Sequence, residues 1–515
     1  MVRTVLFVTL VFLLMAGCSV NPVTGKRDLM LVSTADEIQM GEPNYVPMQQ
    51  SQGGVYDVDP ELTRYVSSIG QSLAAVSEVD LPYEFVVLNN SVPNAWALPG
   101  GKIAVNRGLL TEMNSEAELA AVLGHEIVHS AARHTAQQMS KGMLMEGVVA
   151  ATSIATSDTG YGDLAVGGAA MASQLITMKY GRSAELESDQ YGMRIMSRAG
   201  YDPQGAVELQ ETFVRLSEGQ DQDWISGFFA SHPPSNARVK ANRKTAKELP
   251  PGGRLGVESY QAVMQKTLTA KPAYDAYDKG REALGDKNTE EALALAEEAL
   301  SLFPEEANFH ALRGDVRLMN EQYDMAVTNY SRAIDRRGDF FYYYLQRGIA
   351  KNGLNRDDAA IADLETSLEY LPTAPAHFIL GEIKEDKGYR EEAIAHYKVV
   401  AKAGGDIGQT AYERLAYLEL ERQPASYIAA ACGADTSGQI SIQVRNDTPI
   451  PVTGVEVQLT FLNASGSQAQ RTQSMSGELA PGRVVTARTG LTGYPSTRCE
   501  AVVTRARPAS APSRP

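Results

Sequence analysis

Cysteine is scarce: there are three in 515 residues, too few for a fold held by many disulfides. Cys18 sits near the start of the chain. Cys432 and Cys499 remain, and in an exported chain they can form one disulfide that staples a single C-terminal domain. Positive charge is also in deficit. Lys and Arg number 47 against 62 Asp and Glu, for a formal net charge of −15. That balance argues against nucleic acid or an anionic surface as the main partner. Apolar runs are short, and none approaches the ~20 residues of a spanning helix. What the chain has in abundance is length, more than one core usually holds, so several domains are expected.

The most informative stretch is His125-Glu126-Ile127-Val128-His129. On a helix, positions i and i+4 share a face one turn apart, so two imidazoles can bind one zinc ion. The intervening glutamate then lies where a general base for a water nucleophile is needed. The surrounding residues predict that helix. Ser115 is an N-cap with Glu118 three residues on, a capping box. Leu119, Val122, Leu123, Ile127 and Val128 follow at helical spacing. Gly124 interrupts them, at a cost of up to about 1 kcal/mol against alanine. Close approach of another element at the metal would explain it. His134 lies nine residues after His125, half a turn away on a continuous helix. It reads as a surface or packing histidine.

A hydrolytic zinc site keeps one position open and needs a third protein ligand. A third histidine six residues after the second is absent, since Thr135 stands there. Glu185, 56 residues after His129, is a candidate, with Asp189 one turn on and able to orient a histidine ligand. Glu187 points elsewhere and reads as solvated. An acidic cluster on a helix is, taken alone, more often a solvated face.

Four further stretches accompany these residues: Tyr191-Gly192; Ala199-Gly200-Tyr201-Asp202-Pro203; Asn94-Ala95-Trp96-Ala97-Leu98-Pro99-Gly100-Gly101; and Ser231-His232-Pro233-Pro234-Ser235-Asn236-Ala237-Arg238. Together with the zinc motif they resemble the zinc metallopeptidases of the HtpX and CAAX-prenyl-protease family, in its soluble periplasmic branch, over roughly residues 20–245. Trp96 departs from the family's phenylalanine. The resemblance implies an α+β zincin domain of the gluzincin type. It implies one zinc per chain, bound by His125, His129 and Glu185, with Asp189 orienting a ligand. It places Glu126, His232 and Arg238 in the catalytic set. Glu126 would be general base and then proton donor. His232 would reach the metal as a latch, and Arg238 would anchor that loop or stabilise the oxyanion.

Tyr83 to Leu88 and Ile103 to Val105 read as strands on either side of a Pro-Gly-Gly turn. An edge strand beside the active-site helix would hold an extended substrate by its backbone. Residues 142–176, rich in Gly, Ala and Met, read as packed helices, either a lid with a glycine-rich tip or a plain hairpin.

Arg3, the apolar run from Val5 to Met15 and Ala16-Gly17-Cys18 read as a signal peptide. The last three residues resemble a bacterial lipobox, which implies lipidation of Cys18 and a periplasmic chain. Ser19, by the same resemblance, favours the outer membrane.

Gly280, Gly314, Gly348 and Gly381 recur at intervals of 34, 34 and 33 residues, and twelve residues after each come Ala292, Ala326 and Ala360, with Ala393 in the fourth unit. This period resembles the tetratricopeptide pattern, an all-α superhelix of helix pairs. Phe340, Phe341, Tyr342, Tyr343 and Tyr344 would either line a peptide groove or pack between repeats. Near the C-terminus, Ile440, Ile442 and Val444 alternate with polar residues, as do Val455, Val457, Leu459 and Phe461. A small β-sandwich closed by Cys432–Cys499 is expected.

The expected organisation is a signal peptide at 1–17, a metallopeptidase domain at 18–249 and a linker at 250–272. Repeats with a capping helix follow at 273–422, then the β domain at 425–505 and a disordered tail at 506–515. Two functions fit. One is a lipid-anchored periplasmic zinc endopeptidase acting on unfolded or misassembled proteins, whose repeats recruit clients or the outer-membrane assembly machinery. The other is a non-proteolytic holdase or scaffold with a latent metal site.

Overall fold

The computed structural model describes residues 18–146, 179–217, 228–495 and 498–511. Most of the 142–176 stretch and the signal-peptide reading lie outside them. The chain forms two compact units, divided between Pro372 and Thr373.

The first unit opens with a hairpin, β1 (Cys18–Val20) and β2 (Arg27–Leu29), and helix α1 (Thr34–Ser51). Helix α2 (Pro60–Ala74) leads to β3 (Glu84–Leu88), β4 (Ala95–Leu98) and β5 (Lys102–Asn106). These form a sheet in the order β3-β5-β4, with β3 parallel and β4 antiparallel to β5. Gly100 and Gly101 make the β4–β5 turn at φ of +88° and +90°, which glycine adopts freely. Trp96 fills space against Tyr45, with ring centroids 6.2 Å apart.

The short α3 (Arg107–Leu110) precedes α4 (Glu116–Ala131), the helix that carries both zinc-motif histidines. Ser115 caps it by accepting from the Glu118 backbone N–H. The Glu118 carboxylate turns instead to the backbone N–H of Asn114 at 2.7 Å. Next come α5 (His134–Glu146), α6 (Arg182–Arg198), α7 (Gln204–Ser217), α8 (Phe228–Ser231) and α9 (Asn236–Glu248).

The expected linker at 250–272 is mostly helix. Helix α10 (Val257–Gly285) is continuous, and its Tyr260, Met264, Ala270 and Tyr274 join the same hydrophobic core as Leu119 and Leu123. The Tyr260 hydroxyl donates to the carbonyl of Leu110 at 2.7 Å. Pro250-Pro251-Gly252-Gly253 suggested a break, but the break is short and apolar burial resumes at once.

Helix pairs follow: α11 (Thr289–Leu302), α12 (Ala307–Met319), α13 (Tyr323–Arg336), α14 (Phe341–Gly353) and α15 (Asp357–Tyr370). Each repeat glycine marks a close helix contact. A Cβ on Gly280 would lie 2.8 Å from a Leu312 methyl, and one on Gly348 would lie 2.8 Å from Leu364 Cγ. Phe340, Phe341, Tyr342 and Tyr343 are buried, and the hydroxyl of Tyr343 donates to Asn308 at 2.6 Å. They pack the repeats and do not line an open groove. Gln50, at the end of α1, donates to the carbonyl of Asp339 and accepts from the N–H of Phe341.

The second unit starts with α16 (Ala374–Asp386), α17 (Arg390–Ala403) and α18 (Gly405–Glu419). Strands β6 (Ile428–Ala434), β7 (Gln439–Asn446), β8 (Val452–Leu462), β9 (Gln468–Ser474), β10 (Glu478–Leu479), β11 (Val484–Thr492) and β12 (Arg498–Pro508) complete it. A small β-sandwich was expected, and these strands form one hydrogen-bonded path. Strand β12 pairs first with β6 and then with β8, so β7 and β8 close over one core through Ile442, Val444, Val457 and Leu459. Cys432 and Cys499 stand opposite each other on β6 and β12 and are bonded. Among the described residues, no helix is long and apolar enough to cross a membrane.

Candidate metal centre

Helices α4 and α6 cross glycine on glycine. A Cβ at Gly124 would lie 3.0 Å from the Gly192 carbonyl oxygen, and one at Gly192 would lie 2.9 Å from the His125 nitrogen. This contact is the close approach that Gly124 suggested. It sets Glu185 and Asp189 of α6 against the histidines of α4. A third element, the loop after α8, brings His232. Ser235 caps α9 by accepting from the Arg238 backbone N–H, which fixes Arg238 in the first turn.

His125, His129, Glu185 and His232 offer ligand atoms that all lie within 4.8 Å of one another, and all four are buried. The Nε2 atoms of His125 and His129 are 3.0 Å apart, and His125 Nε2 is 3.3 Å from His232 Nδ1. Glu185 Oε1 is 3.4 Å from His129 Nε2 and 3.0 Å from His232 Nδ1. Donors held ~2.0–2.1 Å from a tetrahedral zinc would sit about 3.3 Å apart, so the donor set and spacing fit such an ion. Glu126 Oε1 is buried with no hydrogen-bond partner, which suits a group waiting for a water or substrate proton.

The electrostatics agree. Burial dominates at Glu126 and raises its pKa, the direction a general base near neutrality needs. Burial likewise holds His129 well below its usual value, so the ring stays neutral, the form a metal takes. Burial opposes ionisation of Glu185, yet the neighbouring His232, His129 and His125 outweigh it and lower its pKa. Burial opposes charge on His232 too, but Glu185 and Glu126 raise its pKa.

Asp189 accepts from His125 Nδ1 at 3.0 Å and takes both Nε and Nη2 of Arg238 at 2.7 Å. The remaining Nη1 of Arg238 lies 2.9 Å from Glu185 Oε2 and donates to the carbonyls of His232 and Pro233. Arg238 thus ties the His232 loop to Asp189 and Glu185.

Two sequence expectations need correction. His134 was placed on the far side of one long helix. Helix α4 ends at Ala131, and Arg133 turns the chain with φ of +61°, so His134 folds back onto the site. Its Nδ1 lies 3.0 Å from His129 Nδ1. Glu187 was expected in solvent, but its side chain is 19% exposed and lies 3.3 Å from His134 Nε2. Tyr180 was missed altogether. Its ring lies on His129, centroids 4.0 Å apart, and its hydroxyl shares a 2.9 Å hydrogen bond with Thr135. Nothing in its spacing signalled this role.

A buried histidine pair on one helix, a glutamate from a second helix and a glutamate base beside them define a metallopeptidase centre. Residues 60–246 match Peptidase family M48, and this part of the chain is a metallopeptidase domain of that family. The chain is 27% identical over 259 residues to the beta-barrel assembly-enhancing protease of Escherichia coli K12, covering 49% of this chain and 51% of that protein. It is 24% identical over 393 residues to the protein of the same name from Yersinia pestis, covering 71% of this chain and 80% of that one. The mitochondrial metalloendopeptidase OMA1 of Schizosaccharomyces pombe is 32% identical over 233 residues, covering 44% and 66%. The chain thus spans about half the length of the Escherichia coli relative it matches.

Proposed function

We propose that the chain is a zinc-dependent endopeptidase of the periplasm, anchored to the outer membrane through lipidated Cys18, that cleaves unfolded or misassembled envelope proteins. The observation that carries the reading is the buried His125, His129 and Glu185 cluster with Glu126 beside it. When bound, zinc polarises a scissile carbonyl and acidifies a water. Glu126 would take a proton from the attacking water and return it to the leaving amine. Asp189, held by Arg238, keeps His125 Nε2 directed into the cluster.

The domain has the order of a gluzincin-type zincin, with its third ligand on a helix after the zinc-motif helix. Strand β4 is an edge of its sheet and packs on α4. An extended chain pairing with that edge would be held by its backbone, independent of sequence. His232 reaches the ligand cluster, which supports its role as a latch that fills the open position until substrate arrives. The names of the relatives support a client in outer-membrane protein assembly, recruited by the repeats.

Glu126→Gln is the test. Expected is unchanged zinc content with casein cleavage lost by a factor of 10² or more, in line with general-base removal. Unchanged cleavage sinks the peptidase reading. Bound zinc with no cleavage even in wild type favours the scaffold. His232→Ala should raise cleavage if the side chain is a latch.

A further inference from the structure

We propose that His134 and Glu187 form an outer relay that selects the metal-binding nitrogen of His129, with Asn21 of the N-terminal hairpin fixing its far end. The inference rests on the metal-site reading above. A carboxylate only accepts hydrogen bonds. Glu187 Oε1 lies 3.3 Å from His134 Nε2, so His134 carries its proton there. In this Nε2–H tautomer His134 offers a lone pair at Nδ1, 3.0 Å from His129 Nδ1. That contact is a hydrogen bond only if His129 is protonated at Nδ1, which leaves its lone pair on Nε2, the atom inside the ligand cluster. The reverse tautomers would set two acceptors against each other at Glu187 and block His129 Nε2 with a proton.

The two zinc-motif histidines are thus oriented differently. His125 donates directly to Asp189, whereas His129 reaches its carboxylate through a second imidazole. The relay is built, not incidental. His134 is buried, and Ser188 Oγ lies 3.4 Å from its Nδ1. Asn21, itself buried, donates to Glu187 Oε1 at 3.0 Å and to Asp28 at 3.2 Å. Its Oδ1 accepts from the N–H groups of Val23 and Thr24, so its orientation is set by the turn that follows β1. Arg133 pins the same region, donating to the Val32 carbonyl and pairing with Glu37. The segment just after Cys18 is therefore joined to a metal ligand through three side chains.

The test compares zinc affinity, by chelator competition on the full chain, for wild type, His134→Ala, Glu187→Leu, Glu187→Gln and Asn21→Ala. Melting of each zinc-free protein is measured alongside. His134→Ala and Glu187→Leu should bind zinc about 10–100-fold more weakly. Glu187→Gln, whose side-chain oxygen still accepts from Nε2, should recover most of that loss, and Asn21→Ala should weaken binding less than Glu187→Leu. In the zinc-loaded protein, ¹⁵N-histidine spectra should show His129 protonated at Nδ1. Affinities equal to wild type, or lowered zinc-free melting with unchanged affinity, overturn the relay and leave the metal site standing. A wild-type protein that takes up no zinc, with every variant alike, sinks the metal reading and the relay with it.

Discussion

At the scale of single residues, the site is held by charges that cannot be removed one at a time. Asp189 and Arg238 are both buried and doubly hydrogen-bonded to each other. Asp189→Ala should strand the guanidinium and cost about 3–5 kcal/mol, read from urea denaturation. It should also weaken zinc binding, because His125 loses its partner. Burial opposes ionisation of Asp189, but Arg238 outweighs it, so its folded pKa lies below the unfolded one. The stability it contributes is therefore full above about pH 4 and lost as pH falls through the folded value. The histidine pair and Glu126 were legible as residues because spacing on one helix is fixed by backbone geometry. The partner of His129 was not, because a single left-handed residue, Arg133, redirects the chain.

Among elements, the α4–α6 crossing decides whether a site exists at all. Gly192→Ala would press a methyl into the backbone at Gly124 and His125. Such overpacking should cost about 1–3 kcal/mol and separate Glu185 from the histidines, lowering zinc content in the purified protein. The repeats carry a pH dependence of their own. Burial, with Arg336 nearby, holds His310 down to about 4. The unfolded chain takes up that proton near pH 6.5, so stability should fall as pH drops from about 6.5 to 4. His310→Gln should flatten that slope in urea midpoints measured between pH 7 and 5. The glycine–alanine period revealed the helix pairs, but not that Phe340 to Tyr343 would be consumed in packing them. Composition alone does not say which aromatic face finds a neighbour.

On the scale of the whole molecule, the first unit is larger than the peptidase segment. Helix α10 seals the core that supports α4, so a chain truncated after Leu249 should lose that cover. Dye binding to exposed apolar surface and loss of cooperative melting would show it. In the second unit, reducing Cys432–Cys499 should destabilise the β domain by about 2–4 kcal/mol, measured as a lower melting temperature with reductant.

By itself, the sequence determined the motif helix, the repeat period and the strands, each set by local periodicity or by side chains a few residues apart. Only the tertiary structure decided that His134 and Glu187 back His129, that Tyr180 lies on His129, that Glu185 meets the two histidines and that the expected linker is core. Those facts depend on how separate segments meet, and contacts between segments leave no period in the chain.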